Sequence, residues 1–242
     1  MKFLSHLFLK SFVYLLILST FIGSNAAAEL SVRPFQASYA LYSGSLNVAN
    51  SELTLERSGD FWRWKLSSKP RGMYSLFSNK EPYSETTFSL SDESHRIHNI
   101  LISDSSDKSK YETARFNWSS MEAEIQYNNN LITTRLKDDV YDFHTIHWLT
   151  AQMIVYEVDK TQFTFYLKGA LVKAWLNKIG SDSLTINGKP QPAVVFEQTI
   201  SQSQESLRYY YDTANPLVPL KIEKLSPGKK KSMLVLKKIH WN

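Results

Sequence analysis

Beyond its first 28 residues the chain alternates apolar and polar residues as β-strands do along most of its length, and only one long stretch there has helical periodicity. The exception is Asp139 to Val158, DVYDFHTIHWLTAQMIVYEV. There Ile146, Leu149, Met153 and Tyr156 recur at spacings of three and four, with Phe143 and Ile154 beside them. That is helical periodicity, and it makes one apolar stripe. Asp139 and Asp142 stand where an N-cap or a first-turn carboxylate stabilises a helix start. A sheet protein with one amphipathic helix, here at about 139–158, has to lay that helix on or inside the sheet.

Before the helix the alternation defines strands at Phe35–Leu41, Leu46–Leu55, Phe61–Leu66, Tyr83–Leu90, Arg96–Ser103, Lys110–Trp118, Met121–Tyr127 and Leu131–Leu136. Turn residues separate them, Ser58-Gly59-Asp60 and Asn128-Asn129-Asn130 among others. Lys69 to Pro82 reads as an irregular apolar loop or a short helical turn. After the helix, strands are expected around Phe163–Leu167 and at Leu171–Ile179, the latter ending at Gly180-Ser181-Asp182. Leu184 and Ile186 then lead into Asn187-Gly188, a strong two-residue hairpin signal because both central residues of a type I′ turn need positive φ. Ala193–Ile200, Leu207–Tyr211, Val218–Leu225 and Ser232–Ile239 complete the pattern. Such an antiparallel meander suits a sandwich, a barrel or a large curled sheet.

Residues 1–28 read as a cleaved secretory signal. Lys2, His6 and Lys10 form a basic start, Ser11 to Ile22 an apolar core, and Ala26-Ala27-Ala28 a small-residue cleavage site before Glu29. The core is about a dozen residues, against the roughly 20 that a bilayer span needs. The chain has no cysteine, so a lipoprotein box, disulfides and a thiolate metal site are all excluded. The expectation is a soluble periplasmic protein, with 29–242 as a single β-rich exported domain and no transmembrane span once the signal is removed. The formal charge of +5 is spread among interspersed acids. The cluster Lys229-Lys230-Lys231 follows Pro227-Gly228 and reads as a solvated hairpin tip. No basic stripe interleaved with aromatics points to nucleic acid.

Motifs for chemistry are sparse. His144 and His147, three apart on the helix, are weak metal candidates, because the strong helical zinc pattern has histidines at i and i+4 with a glutamate between. There is no G-x-S-x-G elbow, no Ser-x-x-Lys at a helix start and no phosphate-cradling glycine loop. No catalytic residue and no cofactor is assigned, and the balance is against an enzyme. Aromatics are the best remaining clue. Tyr209-Tyr210-Tyr211 puts aromatic rings on both faces of one strand.

Four features together resemble an exported bacterial family, domain of unknown function 3108. They are the strand Phe35-Gln-Ala-Ser-Tyr39 followed by Gly44, the central helix opened by Asp142, the Asn187-Gly188 strand-turn-strand, and the C-terminal Asp212, Pro219-Leu-Lys-Ile222 and lysine-flanked final strand. The resemblance implies a mainly β fold: a single large curved antiparallel sheet or open half-barrel with the helix against its concave side. That shape is similar to the half-barrels of periplasmic lipoprotein carriers, which hold acyl chains. It brings no catalytic residues. A concavity left partly unfilled would suit a lipid tail, with Trp62, Trp64, Phe143, Trp148, Met153 and Phe165 as its expected lining. Three functions stay open. The first is non-enzymatic binding of an acyl chain or other amphipathic envelope molecule, the second a pocketless interaction with an envelope protein partner, and the third a glycan or peptide hydrolase of the envelope.

Overall fold

Alternation at period two sends successive side chains to opposite faces of a sheet, and here one of those faces is apolar from strand to strand. In β1 (Phe35–Ser43) the buried set is Phe35, Ala37 and Tyr39. Register carries it across to Leu53 and Leu55 of β2 (Leu46–Ser58), Trp64 of β3 (Phe61–Pro70) and Thr86 and Phe88 of β4 (Pro82–Leu90). It continues through Ile97 and Ile100 of β5 (His95–Asp104), Ala114 of β6 (Glu112–Asn117) and Ile125 of β7 (Glu122–Tyr127), to the edge strand β8 (Asn130–Arg135). Burying one large apolar side chain from this face stabilises the fold by about 1.5–3 kcal/mol, so a one-residue slip anywhere in the register would be costly.

The structure is a computed structural model. It describes residues 30–77, 80–91, 94–104, 107, 111–201, 203–228 and 232–242. The signal reading of 1–28 and the cluster Lys229-Lys230-Lys231 fall outside them, as do parts of the expected turns after Leu90 and Asp104. The strands belong to one compact unit, Ser31–Asn242.

The second half repeats the logic from the other direction. It comprises β9 (Val140–Tyr141), β10 (Lys160–Leu167), β11 (Ala170–Ile186), β12 (Lys189–Ile200), β13 (Ser206–Tyr211), β14 (Pro219–Leu225) and β15 (Ser232–Trp241). The order is β8-β7-β6-β5-β4-β3-β2-β1-β15-β14-β13-β12-β11-β10-β9, one 15-stranded sheet. The first strand pairs with the last, so two meanders are joined where the described chain begins and ends. Every pairing is antiparallel except that of β9 with β10. The sheet does not close, for its edges β8 and β9 are not paired.

The β9–β10 edge tucks into the concavity instead. Phe165 joins one core cluster, while its neighbour Tyr166 joins another with Ile97, Ile100, Phe116 and Ile125 from the inner face of the first half. Both faces of β10 are therefore buried, and the sheet rolls past itself like a scroll.

Helix α2 (Ile146–Val155) follows β9; α1 (Tyr74–Phe77) is a single turn. The helix is shorter than the periodicity predicts. Val140 and Tyr141 are taken by the parallel β9 pairing, and Asp142 to Thr145 form a turn held by the Asp142 carboxylate. It is also buried on more than one stripe. Ile146, Leu149 and Met153 are covered as expected, but so are His147, Trp148, Thr150 and Ala151. Thr150 tolerates this by donating to the Ile146 carbonyl at 2.8 Å.

One expected turn is absent. Gly180-Ser181-Asp182 does not end a strand, because β11 runs on to Ile186 through a bulge between Lys178 and Gly180. Gly180 has φ +138°, a conformation that favours glycine. The bulge bends the long β11–β12 hairpin. Leu184 packs into the cluster around Tyr210, and Asn187 Nδ2 donates to the Lys237 carbonyl at 2.7 Å.

Candidate functional site

The turn before α2 is set down on the inner face of β4, and this contact creates a polar island inside an apolar shell. One Asp142 carboxylate oxygen, Oδ1, accepts from the backbone N–H groups of His144 (3.1 Å) and Thr145 (2.8 Å) and from Thr145 Oγ1 (2.8 Å). The other, Oδ2, accepts from Thr86 Oγ1. His144 Nε2 lies 3.0 Å from Ser84 Oγ. Four donors satisfy this buried carboxylate.

Beside this island lies a cavity of about 470 Å3, within the usual range for small-molecule sites. Ser84, Ile100, Ile102 and Glu112 from β4, β5 and β6 form one wall. Phe143 and His144 from the turn, with Phe165 and Leu167 of β10, form a second. Gln198, Ile200 and Leu207 from β12 and β13 form the third. The two lysines that border it, Lys168 and Lys224, are exposed, and Lys224 pairs with Glu205 at 2.8 Å. That pair is half in solvent and contributes at most about 1 kcal/mol. The cavity is thus walled mostly by apolar side chains, with buried polar groups at Glu112, Asp142, His144 and Gln198 and exposed lysines beside it.

Glu112 is buried at the same wall. It accepts from Tyr166 Oη at 2.5 Å and from the Gly169 N–H at 2.8 Å. Burial, with the Glu112 bond second, pushes the Tyr166 phenol well above its ordinary pKa. Burial likewise lowers His144, partly opposed by Asp142, and lowers His147 to about 3. Both histidines are neutral at pH 7.

Of the residues expected to line a cavity, Phe143 and Phe165 do. Trp64 stands behind it, stacked on His144 with ring centroids 6.5 Å apart. Trp62 belongs to the core cluster of Phe35 and Trp64, and Met153 to the cluster beneath the helix. Trp148 is buried on α2 and does not border the cavity. His144 and His147 meet different partners, Ser84 and Tyr211. Among the described residues no three His, Cys, Asp or Glu side chains converge as metal ligands would.

Sequence reasoning passed over Ser84, Glu112 and Gln198. Each is a polar residue in an inward register position. Gln198 sits between Phe196 and Ile200, and that break in an apolar alternation was the available signal. Ser84 and His144 are within hydrogen-bonding reach, as a nucleophile and base must be. His144 Nδ1 has no acceptor, however. The Asp142 carboxylate is engaged elsewhere, so the orienting acid of a catalytic triad is missing.

The chain is similar to a crystal structure of a beta-barrel-like protein of domain of unknown function DUF1849 from Brucella abortus. The TM-score is 0.58 at 7% identity, over 88% of this chain and 99% of that one. That likeness is one of fold. A complex of MucA and MucB from Pseudomonas aeruginosa aligns with a TM-score of 0.34 at 12% identity, over 89% of this chain and 53% of that one. No curated relative matches. The family model described as "Protein of unknown function (DUF3108)" matches residues 38–235, and the chain belongs to that family.

Proposed function

We propose that this is an exported protein of the bacterial envelope that binds the acyl chain of an amphipathic molecule, without transforming it, in the cavity between β4–β6, β10 and β12–β13. The observation that carries this reading is the cavity itself: about 470 Å3 of space, walled by Ile100, Ile102, Phe143, Phe165, Leu167, Ile200 and Leu207. An apolar recess with polar groups at a few points is what a lipid tail requires. The exposed Lys168 beside the cavity suits a polar or anionic head group. The basic, apolar and small-residue order of residues 1–28, with no cysteine in the chain, supports signal cleavage before Glu29, a single domain over 29–242 and a periplasmic location. Among the described residues no helix is long and apolar enough to cross a membrane.

The test is mass spectrometry of gently purified protein, native and then after organic extraction. A stoichiometric lipid supports the reading. A clean mass for the unliganded protein, unchanged after incubation with envelope lipid extract, overturns it. The second reading, a protein partner, draws on the edge strand β8, whose outer rim is unpaired and whose Leu131 is 71% exposed. Crosslinking in cells would decide for it.

A further inference from the structure

Neighbouring strands of an antiparallel meander run in opposite directions, so every second connection falls at the same rim of the sheet. Strand pairing here puts the connections after β1, β3, β5, β7, β10, β12 and β14 at one rim, and those after β2, β4, β6, β11 and β13 at the other. The cavity reaches the first rim, through Ile102 near the end of β5, Lys168 after β10, and Ser203 and Glu205 after β12.

The two rims differ in charge. In sequence, the connections at the cavity rim hold eight lysines and arginines against three acids, Glu81, Asp107 and Glu205. Those at the opposite rim hold no lysine or arginine and four acids, Asp60, Asp92, Glu93 and Asp212. Arg71, Lys80 and Lys168 are the described members of the basic set, and all three are exposed. The other five lie outside the described residues and count here only as charge.

The rims differ in apolar exposure too. Of the large apolar side chains exposed among the described residues, more than half are at the cavity rim, Leu46, Met73, Tyr74, Ile102, Tyr111 and Leu131 among them. Met73 is 73% exposed and is followed directly by Tyr74, in the connection that also carries Arg71. Scattered exposed apolar residues are ordinary; a gathering of them at one basic rim marks an interaction surface. An anionic lipid surface meets both features. Its phosphates attract the basic residues, and its interface takes up apolar side chains and the amphipathic ring of a tyrosine. An acidic protein would match the charge, but it would need a fitted recess for each apolar residue spread along the rim, and a fluid lipid surface needs none.

We propose that the cavity rim docks on an anionic phospholipid surface, with Met73 and Tyr74 entering the interface and Arg71 and Lys168 against the head groups. This goes beyond the acyl-binding reading and does not rest on it.

The chain has no cysteine, so Met73→Cys takes a single environment-sensitive fluorophore, and Phe61→Cys supplies the control at the opposite rim. Vesicles of phosphatidylcholine alone are compared with vesicles of equal parts phosphatidylcholine and phosphatidylglycerol. The anionic vesicles should sediment the protein at least about tenfold more strongly, an advantage that added salt erodes. On them the Met73 label should shift to the blue and the Phe61 label should not. Joint Met73→Ser and Tyr74→Ser substitution should weaken sedimentation about tenfold. Residues 1–28, where retained, are common to every variant and drop out of the comparison. Leu207→Trp, with its added ring in the cavity, should dock as the wild type does. Equal sedimentation with both vesicles, no shift at Met73, a shift at Phe61, or undiminished sedimentation of the double variant overturns the proposal. Loss of sedimentation in Leu207→Trp overturns it as well and leaves the acyl-binding reading standing, for the lipid is then held by the cavity and not by the rim. Should the double variant fail to fold, the Met73 label decides.

Discussion

His147 Nδ1 lies 2.6 Å from the phenol oxygen of Tyr211, and both side chains are fully buried, one from the helix and one from β13. It is a polar tie between the helix and the sheet that wraps it. His147 Nε2 has no hydrogen-bond partner among the described residues, so the bond to Tyr211 is the imidazole's one side-chain hydrogen bond there, beside ring contacts with Trp64, Phe143 and Tyr209. Tyr211→Phe removes it without opening a large cavity. The expected loss is about 1–3 kcal/mol, the cost of stranding a buried polar group. It is read as a lower urea midpoint at unchanged slope. An unchanged midpoint would mean the contact contributes nothing.

Three buried histidines make stability depend on pH. Burial lowers His95, His144 and His147 below the ordinary 6.5, His147 to about 3. Unfolded histidines take up protons as pH falls through 6.5, while the folded ones resist. The unfolded state then binds more protons, and stability declines with falling pH. Their contribution is fully present above about pH 6.5 and is lost progressively below it, for His147 down to about pH 3. The urea midpoint should fall between pH 7.5 and pH 5.5, a window above most carboxylate titration. A flat midpoint across that window would show that these rings reach water.

Much of this fold is legible in the sequence because each strand carries its own alternation. The Ser58-Gly59-Asp60 and Asn187-Gly188 turns, most of the strands and the existence of one central helix follow from local chemistry. What is not legible depends on partners far along the chain. Nothing local in Val140-Tyr141 foretells pairing with Thr164 and Phe165, so the helix reads as 139–158, more than about five turns, where it runs only over Ile146–Val155, about three turns. Gly180 marks a bend, but only the paired strand β12 decides between a turn and a bulge. Phe143 and Phe165 are offered as cavity lining only because they are large apolar side chains, one in the helical stretch and one on a strand. Trp62 and Met153 carry the same signal and lie in core clusters, since composition does not say on which layer of a rolled sheet a residue falls. Ser84 and Gln198 were hidden because a single inward polar residue is informative only once the inward face is known.

Gly169 is required where Gly188 is merely favoured. Both have φ +76°. A Cβ on Gly188 would meet nothing within 4 Å, whereas one on Gly169 would lie 2.6 Å from Tyr127 Cβ and Cγ. Gly169 also gives its N–H to Glu112 at the cavity wall. Gly188→Ala should cost about 1 kcal/mol, the left-handed penalty alone. Gly169→Ala adds overpacking against a ring and should cost about 2–4 kcal/mol. Thermal unfolding of the two variants side by side checks the ranking, and equal shifts would argue against the close approach of the Lys168-Gly169 turn to Tyr127.

Leu207 and Met153 separate space for a ligand from space for the core. Leu207 is half-buried on the inner face of β13 and borders the cavity; Met153 is buried beneath the helix and does not. Leu207→Trp places a larger apolar side chain where there is room, so stability should change by less than about 1 kcal/mol. Acyl-chain binding should drop at least tenfold, because the added ring occupies the volume the chain needs. Met153→Ala leaves the cavity walls intact and empties part of the core, at about 2–5 kcal/mol. Its folded fraction should bind a dodecyl probe as the wild type does. Denaturant titration and probe binding on the two variants together form a double dissociation. If Leu207→Trp binds normally while Met153→Ala loses binding, the ligand lies under the helix and not in the cavity between the sheet walls.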